Sequence, residues 1–534
     1  MPIFAYLFEA RSIQQYIFET GKLKDMVGAS HIVNYLCKID GDDLIGSVLK
    51  ELNLLEGKDI RFSRRAGGSF VGLMKDEKQA KLLRNLWTLT VSQYSPGLEW
   101  VDALTQGDSD MDAVSSGFDT LARRRNLPSA VFPEIGPFVL RAPRTGRAAV
   151  KRDKKDDCLD TNTLIKRRQK NVSQENGEKF VSARNGEKVF WVKTLEAETE
   201  DEKEFCMPFI PEAEQIIGIL HVDGNGLGMA LRILQKVLKN RDDYQSASWL
   251  FSRAITETTT SAAQKATKDV LIPAAPKNGR TILPARRLVL GGDDLTMIVR
   301  GDLAMDYASS FIQHFEAESE INLKALNEKI KDLPKDFPKK LSACGGVAFI
   351  RLKQPFSQAY SLAESLCSYS KMVSELFKKS DNFKPSCVSF YRITTSYIGE
   401  YSEILENVER FHMDNTCYQM TMGAYSITEE MVGYPRWDDL KAFHELLSSM
   451  EGVAARDFLT ILRQSPHIAK DKYQRWREIM KKTQGEKTLK DFDDGLKKLG
   501  VTDGDLPFTK ESNGIRRTPL GDLHDLTSVL PIHK

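Results

Sequence analysis

The sequence predicts an α+β fold: two ferredoxin-like domains, each a β-α-β-β-α-β core with helical insertions, followed by a C-terminal helical domain. Three observations predict it. The same order of strand and helix patterns occurs twice along the chain. Each copy holds one hairpin whose β-rich runs meet at a glycine pair, Gly67-Gly68 and Gly291-Gly292. From about Thr416 onward, helical periodicity dominates. The 534 residues suit three to four domains at roughly 150 residues each. The expected divisions are 1–140, 141–210, 211–400 and 401–534.

In the first copy, Ile3 to Ala10 reads as a strand, and Ser12 to Leu36 as helix interrupted near Thr20-Gly21. Asp59 to Met74 reads as the hairpin. A helix over Asp76 to Tyr94, a strand over Leu98 to Leu104, a helix over Met111 to Arg125 and a strand over Pro137 to Leu140 complete it. The second copy opens with a strand over Gln215 to Val222 and helices over Leu227 to Lys239 and Asp243 to Thr267. The hairpin Arg287 to Val299 follows, then a long helix over Leu303 to Ile330. A strand over Ser342 to Ile350, a helix over Phe356 to Phe377 and a strand over Ser386 to Tyr391 close it. The C-terminal helices are expected at Trp437–Ser448, Val453–Arg463, Lys470–Lys482 and Thr488–Lys498, with an irregular tail of about 30 residues. Between the copies, Arg141 to Lys170 carries eleven Lys or Arg against four Asp. That run reads as a solvated linker or a phosphate-contacting patch.

Composition excludes several classes. Lys plus Arg number 76 and Asp plus Glu 74, a net charge of +2, which argues against gripping nucleic acid by bulk charge. A hydrophobic fraction of 41% with 28% charged residues fits globular packing. No apolar run is long enough to span a membrane. The N-terminus has no basic stretch followed by a long apolar core, so no secretory signal is expected. The seven scattered cysteines form no CxxC pair and read as reduced thiols of a cytoplasmic protein.

The chemistry is expected in the second copy. Asp223 ends an apolar strand, and Gly224-Asn225-Gly226-Leu227-Gly228 turns the chain into a helix. Glycines there let backbone approach a phosphate, and the helix start offers unpaired N–H groups. In a β-α-β-β-α-β sheet the hairpin lies beside strand one, so Asp293 and Asp294 of Gly291-Gly292-Asp293-Asp294 come next to Asp223. Gly-Gly-Asp-Asp alone also suits an ordinary polar turn. Three converging carboxylates repel one another unless cations sit among them. Such oxygen ligands select Mg²⁺ or Mn²⁺, and two such ions serve in-line displacement at phosphorus, that is, nucleotidyl transfer. Asp223, Asp293 and Asp294 are therefore the expected metal ligands and catalytic residues. Gly224, Asn225, Gly226, Leu227, Gly291 and Gly292 are expected against the nucleotide.

Lys371 reads as a triphosphate clamp or as an exposed helix lysine. Gly67, Gly68 and Ser69 lack a carboxylate at their turn and are expected only to cradle a nucleotide, with Arg123, Arg124 and Arg125 nearby. His221 is expected to pack, Cys344 and Cys367 to be core thiols, and the lone His524-Asp525 pair to lack the partners of a phosphohydrolase centre.

These residues resemble the large polymerase-like subunit of type III CRISPR effector complexes, which carries two palm domains and a Gly-Gly-Asp-Asp turn. Arg11 to Phe18 with Lys22 to Ser30 looks like its opening segment, Val222 to Gly228 like its first palm motif, and Ser342 to Gly346 with Lys371 like its later strand and helix. Met422-Gly423-Ala424-Tyr425 resembles the start of its helical domain. The resemblance implies synthesis of a cyclic oligonucleotide second messenger from ATP in antiviral defence, with guide-RNA complex subunits or a cyclic-nucleotide-activated effector as partners. Three departures stand out: no HD nuclease segment is present, a zinc-ribbon region is reduced to Arg144-Thr145-Gly146-Arg147 and Cys158-Leu159-Asp160, and Asn225 replaces a frequent Asp. The first two point to a stand-alone relative. The alternatives are a nucleotide-binding scaffold subunit with little turnover and a template-dependent polymerase, the latter disfavoured by the lack of a long basic channel.

Overall fold

A computed structural model describes residues 2–530 except 40–41, 128–135, 137, 153–157, 170–179, 182–187, 198–202, 212–213, 239–240, 242, 277–280, 331–332, 335–336, 380–381, 395–398, 414–415, 449–454, 503 and 513. The first half centres on β1 (Ile3–Arg11), whose near-continuous apolar run suits a strand buried on both faces. Helices Ile13–Phe18, Leu23–Leu36 and Leu44–Glu51 follow. The last of these is absent from the sequence-based expectation; its N-cap, Asp43, also holds Arg65. Next come β2 (Ile60–Ala66), β3 (Ser69–Met74), helix Glu77–Tyr94, β4 (Glu99–Gly107) and helix Asp110–Arg125. All pairings are antiparallel and the sheet order is β2-β3-β1-β4, that of a β-α-β-β-α-β unit. Gly67 and Gly68 both have positive φ, 59° and 77°, as a tight two-residue hairpin turn of the primed kind requires. The strand expected at Pro137–Leu140 does not form: residues 138–140 are turn, and Pro137 lies outside the described residues.

The described parts of the connector are built into the fold and do not form a solvated linker. It supplies β5 (Ala149–Arg152), β6 (Cys158–Asp160), helix Thr161–Arg168 and β7 (Val189–Trp191). Lys166 is fully buried; its Nζ donates to Tyr16 O at 2.7 Å and Glu19 Oε2 at 2.8 Å. Arg167 donates to the buried Asp25 at 2.8 Å, and Arg147 pairs with Glu19 at 2.8 Å. These three cations are thus spent inside the first half. Packing is close enough that a Cβ at Gly28 would stand 1.8 Å from Lys166 O.

The second half begins with β8 (Ile216–Asn225), helices Leu227–Val237 and Tyr244–Ala266, and β9 (Thr281–Leu283). It continues with β10 (Ala285–Gly291), β11 (Asp294–Arg300), helix Gly301–Lys329, β12 (Ser342–Arg351), helix Phe356–Leu376 and β13 (Cys387–Arg392). Its core order, β10-β11-β8-β12, repeats that of the first half; β13 then runs parallel to β12. After helix Tyr401–Ile404 the expected all-helical region opens instead with short strands, β14 (Arg410–Met413), β15 (Thr416–Gln419) and β16 (Tyr425–Ser426). Helices Trp437–Ser448, Ala455–Gln464, Pro466–Gln484 and Glu486–Lys498 follow. The described part of the tail is not irregular: β17 (Ile515–Arg517) pairs with β15, and helix Leu520–Thr527 buries Leu520, Leu523 and Leu526.

Asp522 of that last helix is buried and accepts from Thr421 Oγ1 at 2.6 Å, Met422 N at 2.8 Å and the Tyr425 hydroxyl. Burial outweighs these donors and pushes its pKa up to about 7. An acid whose folded pKa exceeds its unfolded one, about 3.9, adds stability below the unfolded value and loses it as pH rises through the folded value. Unfolding free energy is therefore expected to fall between about pH 4 and 7, and Asp522→Asn to flatten that slope in denaturant titrations. An unchanged slope would remove the assignment.

The halves interlock reciprocally. Helix Leu23–Leu36 lies on β10, with Ser30 Oγ donating to Leu288 O. Helix Tyr244–Ala266 lies on β2, with Gln245 Nε2 donating to Phe62 O. Both carbonyls sit at bulges, between Phe62 and Arg64 and between Arg287 and Val289. Phe18 stacks on Tyr360 at 4.2 Å, joining the halves in a shared core.

Candidate active site

β8 is long and apolar because both neighbours bury it, and its end places Asp223 at the sheet's edge opposite Cys344 of β12. The adjoining hairpin pairs Gly291 with Asp294, leaving Gly292 and Asp293 as the turn. Gly292 takes φ +61°, and its carbonyl accepts from Thr259 Oγ1 at 2.6 Å, so helix Tyr244–Ala266 anchors the turn. One carboxylate oxygen from each of Asp223, Asp293 and Asp294 lies within 4.8 Å of the others, the only such group among the described residues. All three side chains are half-buried. Burial first, then neighbouring acids, Asp223 among them, hold the pKa values of Asp293 and Asp294 well above the usual carboxylate range. An all-oxygen donor set held together against its own repulsion fits a Mg²⁺ or Mn²⁺ centre.

Lys371, on helix Phe356–Leu376, donates to Asp223 Oδ2 and, at 3.4 Å, to Gly224 O. Burial disfavours its ammonium, but attraction to Asp223 outweighs this and raises the pKa. The helix comes this near because Gly346 of β12 has no side chain: a Cβ there would stand 2.1 Å from Ala363 O and 2.5 Å from Cys367 N. Gly224 is needed for similar reasons, since its Cβ would meet Asp293 Cβ at 2.9 Å. Gly226, at φ +85°, starts helix Leu227–Val237 without a side-chain cap on its first N–H groups. Leu227 packs half-buried beside Gly224.

Two expectations about nucleotide contacts need correction. The side chain of Asn225 is not free for a nucleotide; it is buried, and its Nδ2 donates to Ser342 Oγ and Cys344 Sγ, both at 3.1 Å, tying β8 to β12. Ser69 is also turned inward, with Oγ on Ala66 O at 3.0 Å. In the first half, Arg124 pairs with Asp102 at 2.6 Å and Arg125 with Glu9, so their charge is already matched. Gly67 instead meets the other turn: a Cβ on Gly291 would lie 3.6 Å from Gly67 Cα. Gly68 packs against Ala10 and Val33.

His221 is buried beside Thr296 Oγ1 at 3.2 Å, and burial lowers its pKa to about 4, which keeps it neutral. Cys344 and Cys367 are buried thiols. Sequence reasoning missed Glu364, whose pKa is raised by burial and by the charge of Asp223. Its signal was its place two turns before Lys371 on the same helix face.

No protein-family model and no curated protein matches the chain. Among solved structures, the chain is similar to a Csm1-Csm4 cassette in complex with cA3, at 10% identity and a TM-score of 0.46, over 99% of this chain and 70% of that one. It is also similar to the apo Csm1-Csm4 cassette, at 11% identity and TM-score 0.43, over 87% of this chain and 63% of that one. A third is the Csm1-Csm4 subcomplex of the type III-A CRISPR-Csm interference complex, at 11% identity and TM-score 0.42, again over 87% and 63%. Among the described residues, no helix is long and apolar enough to cross a membrane.

Proposed function

We propose that the protein is a metal-dependent nucleotidyltransferase with two palm-type domains that joins ATP into a cyclic oligonucleotide, a messenger of antiviral defence. The observation that carries the reading is the convergence of Asp223, Asp293 and Asp294 at one sheet edge. The cyclic product and the defence role follow from the sequence resemblance.

Asp223, Asp293 and Asp294 would hold Mg²⁺ or Mn²⁺. When bound, such an ion polarises a phosphate and makes an attacking hydroxyl more acidic. In the reaction the 3′-hydroxyl oxygen of one nucleotide bonds to the α-phosphorus of another as its proton passes to solvent, the bond to the bridging α–β oxygen breaks, and pyrophosphate leaves. Lys371 can turn its ammonium from Asp223 to the phosphate oxygens and balance their charge. The open start of helix Leu227–Val237 faces anionic groups with its N–H dipoles.

The deciding experiment incubates the protein with each labelled nucleoside triphosphate and Mg²⁺ or Mn²⁺ and resolves products by mass. Linear or cyclic oligonucleotides with pyrophosphate are expected; no product, with or without RNA, would overturn the reading. One observation favours a second reading, a nucleotide-binding subunit of an RNA-guided complex with little turnover: the Lys371 ammonium already occupies Asp223, as a built-in counter-ion would. Lys371→Ala separates the two. For an enzyme it should lower turnover about 10–100-fold while tightening Mn²⁺ binding, because a competing cation is gone. Tighter Mn²⁺ binding by the variant when neither protein turns over, or a small RNA that copurifies with inactive protein, would favour the subunit reading.

A further inference from the structure

A cavity of about 290 Å³ opens at the junction of the halves, bordered by both glycine turns through Gly67 and Gly291. Arg286, Arg287, Lys38 and His31 line it, together with Ser30 and Trp191, and among the described residues no Asp or Glu does. Arg286 is 7% exposed; among the described residues its Nη1 reaches only Val192 O, at 3.3 Å, and its Nε has no partner. Arg287 lays its guanidinium over the Phe180 ring at 4.5 Å. Among the described residues neither arginine forms a salt bridge, whereas Arg65, Arg84 and Arg124 each hold a carboxylate. Burying a guanidinium without a counter-charge is costly, and two adjacent ones more so. Burial opposes the charge of both, and Arg287 adds to it at Arg286.

We propose that this cavity is a metal-independent anion site that binds the phosphate groups of a ligand. Its guanidinium forks match phosphate oxygens, and its polar neighbours Ser30 and His31 add further hydrogen-bonding atoms. Its volume sits at the lower end of small-molecule pockets, roughly 300–1,000 Å³, which suits a phosphate chain more than a whole nucleotide. The carboxylates need metal to meet a phosphate; this cavity does not. The identity of the ligand rests on the nucleotidyltransferase reading: the phosphates belong either to the triphosphate of a substrate molecule or to the phosphodiesters of a product strand.

The test is calorimetric titration of the full chain in EDTA with tripolyphosphate, with ATP and with a linear triadenylate lacking a 5′-triphosphate. Tripolyphosphate and ATP should bind without metal if the site takes a triphosphate; triadenylate should bind as tightly or better if it takes phosphodiesters. Arg287→Gln should weaken whichever binds at least tenfold, and Asp293→Asn with Asp294→Asn should leave it unchanged. Lys38→Gln, at a half-buried position, should weaken it severalfold and serves if Arg287→Gln fails to fold. No binding of any probe in EDTA would overturn the proposal, as would binding that Arg287→Gln and Lys38→Gln both leave intact. Metal-free, arginine-dependent binding in a protein that never forms oligonucleotides would uphold the anion site and reject the nucleotidyltransferase reading. Turnover without metal-free binding would do the reverse.

Discussion

Replacing Asp293 and Asp294 together by Asn is expected to cut nucleotidyl transfer by at least about 10³-fold, the scale seen when a principal electrostatic contributor is lost from an active site. The fold should be as stable as before or more so. The two side chains crowd against Asp223 within 4.8 Å and are held protonation-prone by burial and mutual charge. Removing two ionisable groups removes that repulsion, while Asn keeps the size and hydrogen-bonding reach of Asp. The sharper readout is metal-linked stability. A ligand present at 100 times its Kd stabilises a folded protein by about 2.7 kcal/mol. Millimolar Mn²⁺ should therefore raise the melting temperature of the parent and leave the double variant unmoved. A variant that keeps the Mn²⁺ response, or keeps turnover, would show that the ion and the chemistry lie elsewhere.

Gly346→Ala is the substitution expected to damage the protein most. Its methyl would stand 2.1 Å from Ala363 O and 2.7 Å from Leu366 Cβ. The nearest obstacle is helix backbone, which no rotamer change relieves, so helix Phe356–Leu376 must retreat from β12. Overpacking ordinarily costs 1–3 kcal/mol and sometimes more; here a loss of about 3 kcal/mol or failure to fold is expected. The same helix carries Lys371 and Glu364, so any folded fraction should also show weakened turnover. The adjacent glycine is the control. A methyl on Gly345 meets Val222 Cγ2 at 3.2 Å, a side chain that can turn, so Gly345→Ala should cost about 1 kcal/mol. Equal losses at the two positions would show that helix placement is not set by Gly346. Urea unfolding of both variants decides it.

Much of the second half was legible because its strands are long, apolar and bounded by glycine turns, and because a β-α-β-β-α-β order itself places the hairpin beside strand one. Asp223, Asp293 and Asp294 meet for that reason, and Lys371 arrives with the helix after β12. The failures have physical causes too. Asn225 looked exposed because a Gly-x-Gly turn was expected to begin at Gly224, whereas β8 runs on through Asn225. β15 and β17 are short and pair Cys417 with Ile515 across nearly a hundred residues, which local periodicity cannot show. Arg286 and Arg287 carry no signal of their own in the sequence, where Arg287 only opens the hairpin; the docking of the halves encloses them. Arg147, Lys166 and Arg167 of the connector looked solvated because their partners, Glu19 and Asp25, lie far away in sequence.

The reciprocal packing of the halves bears on the borders of the two sheets. β2 and β10 are the outermost strands of their sheets, and such strands offer unpaired backbone to any passing chain. Each is bulged, and each has a carbonyl at its bulge claimed by a side chain from the other half, Phe62 O by Gln245 and Leu288 O by Ser30. Each half thus shields the other's sticky border. Either half expressed alone would bare that border, and precipitation by strand-to-strand association is the failure to expect from dividing the chain at the connector.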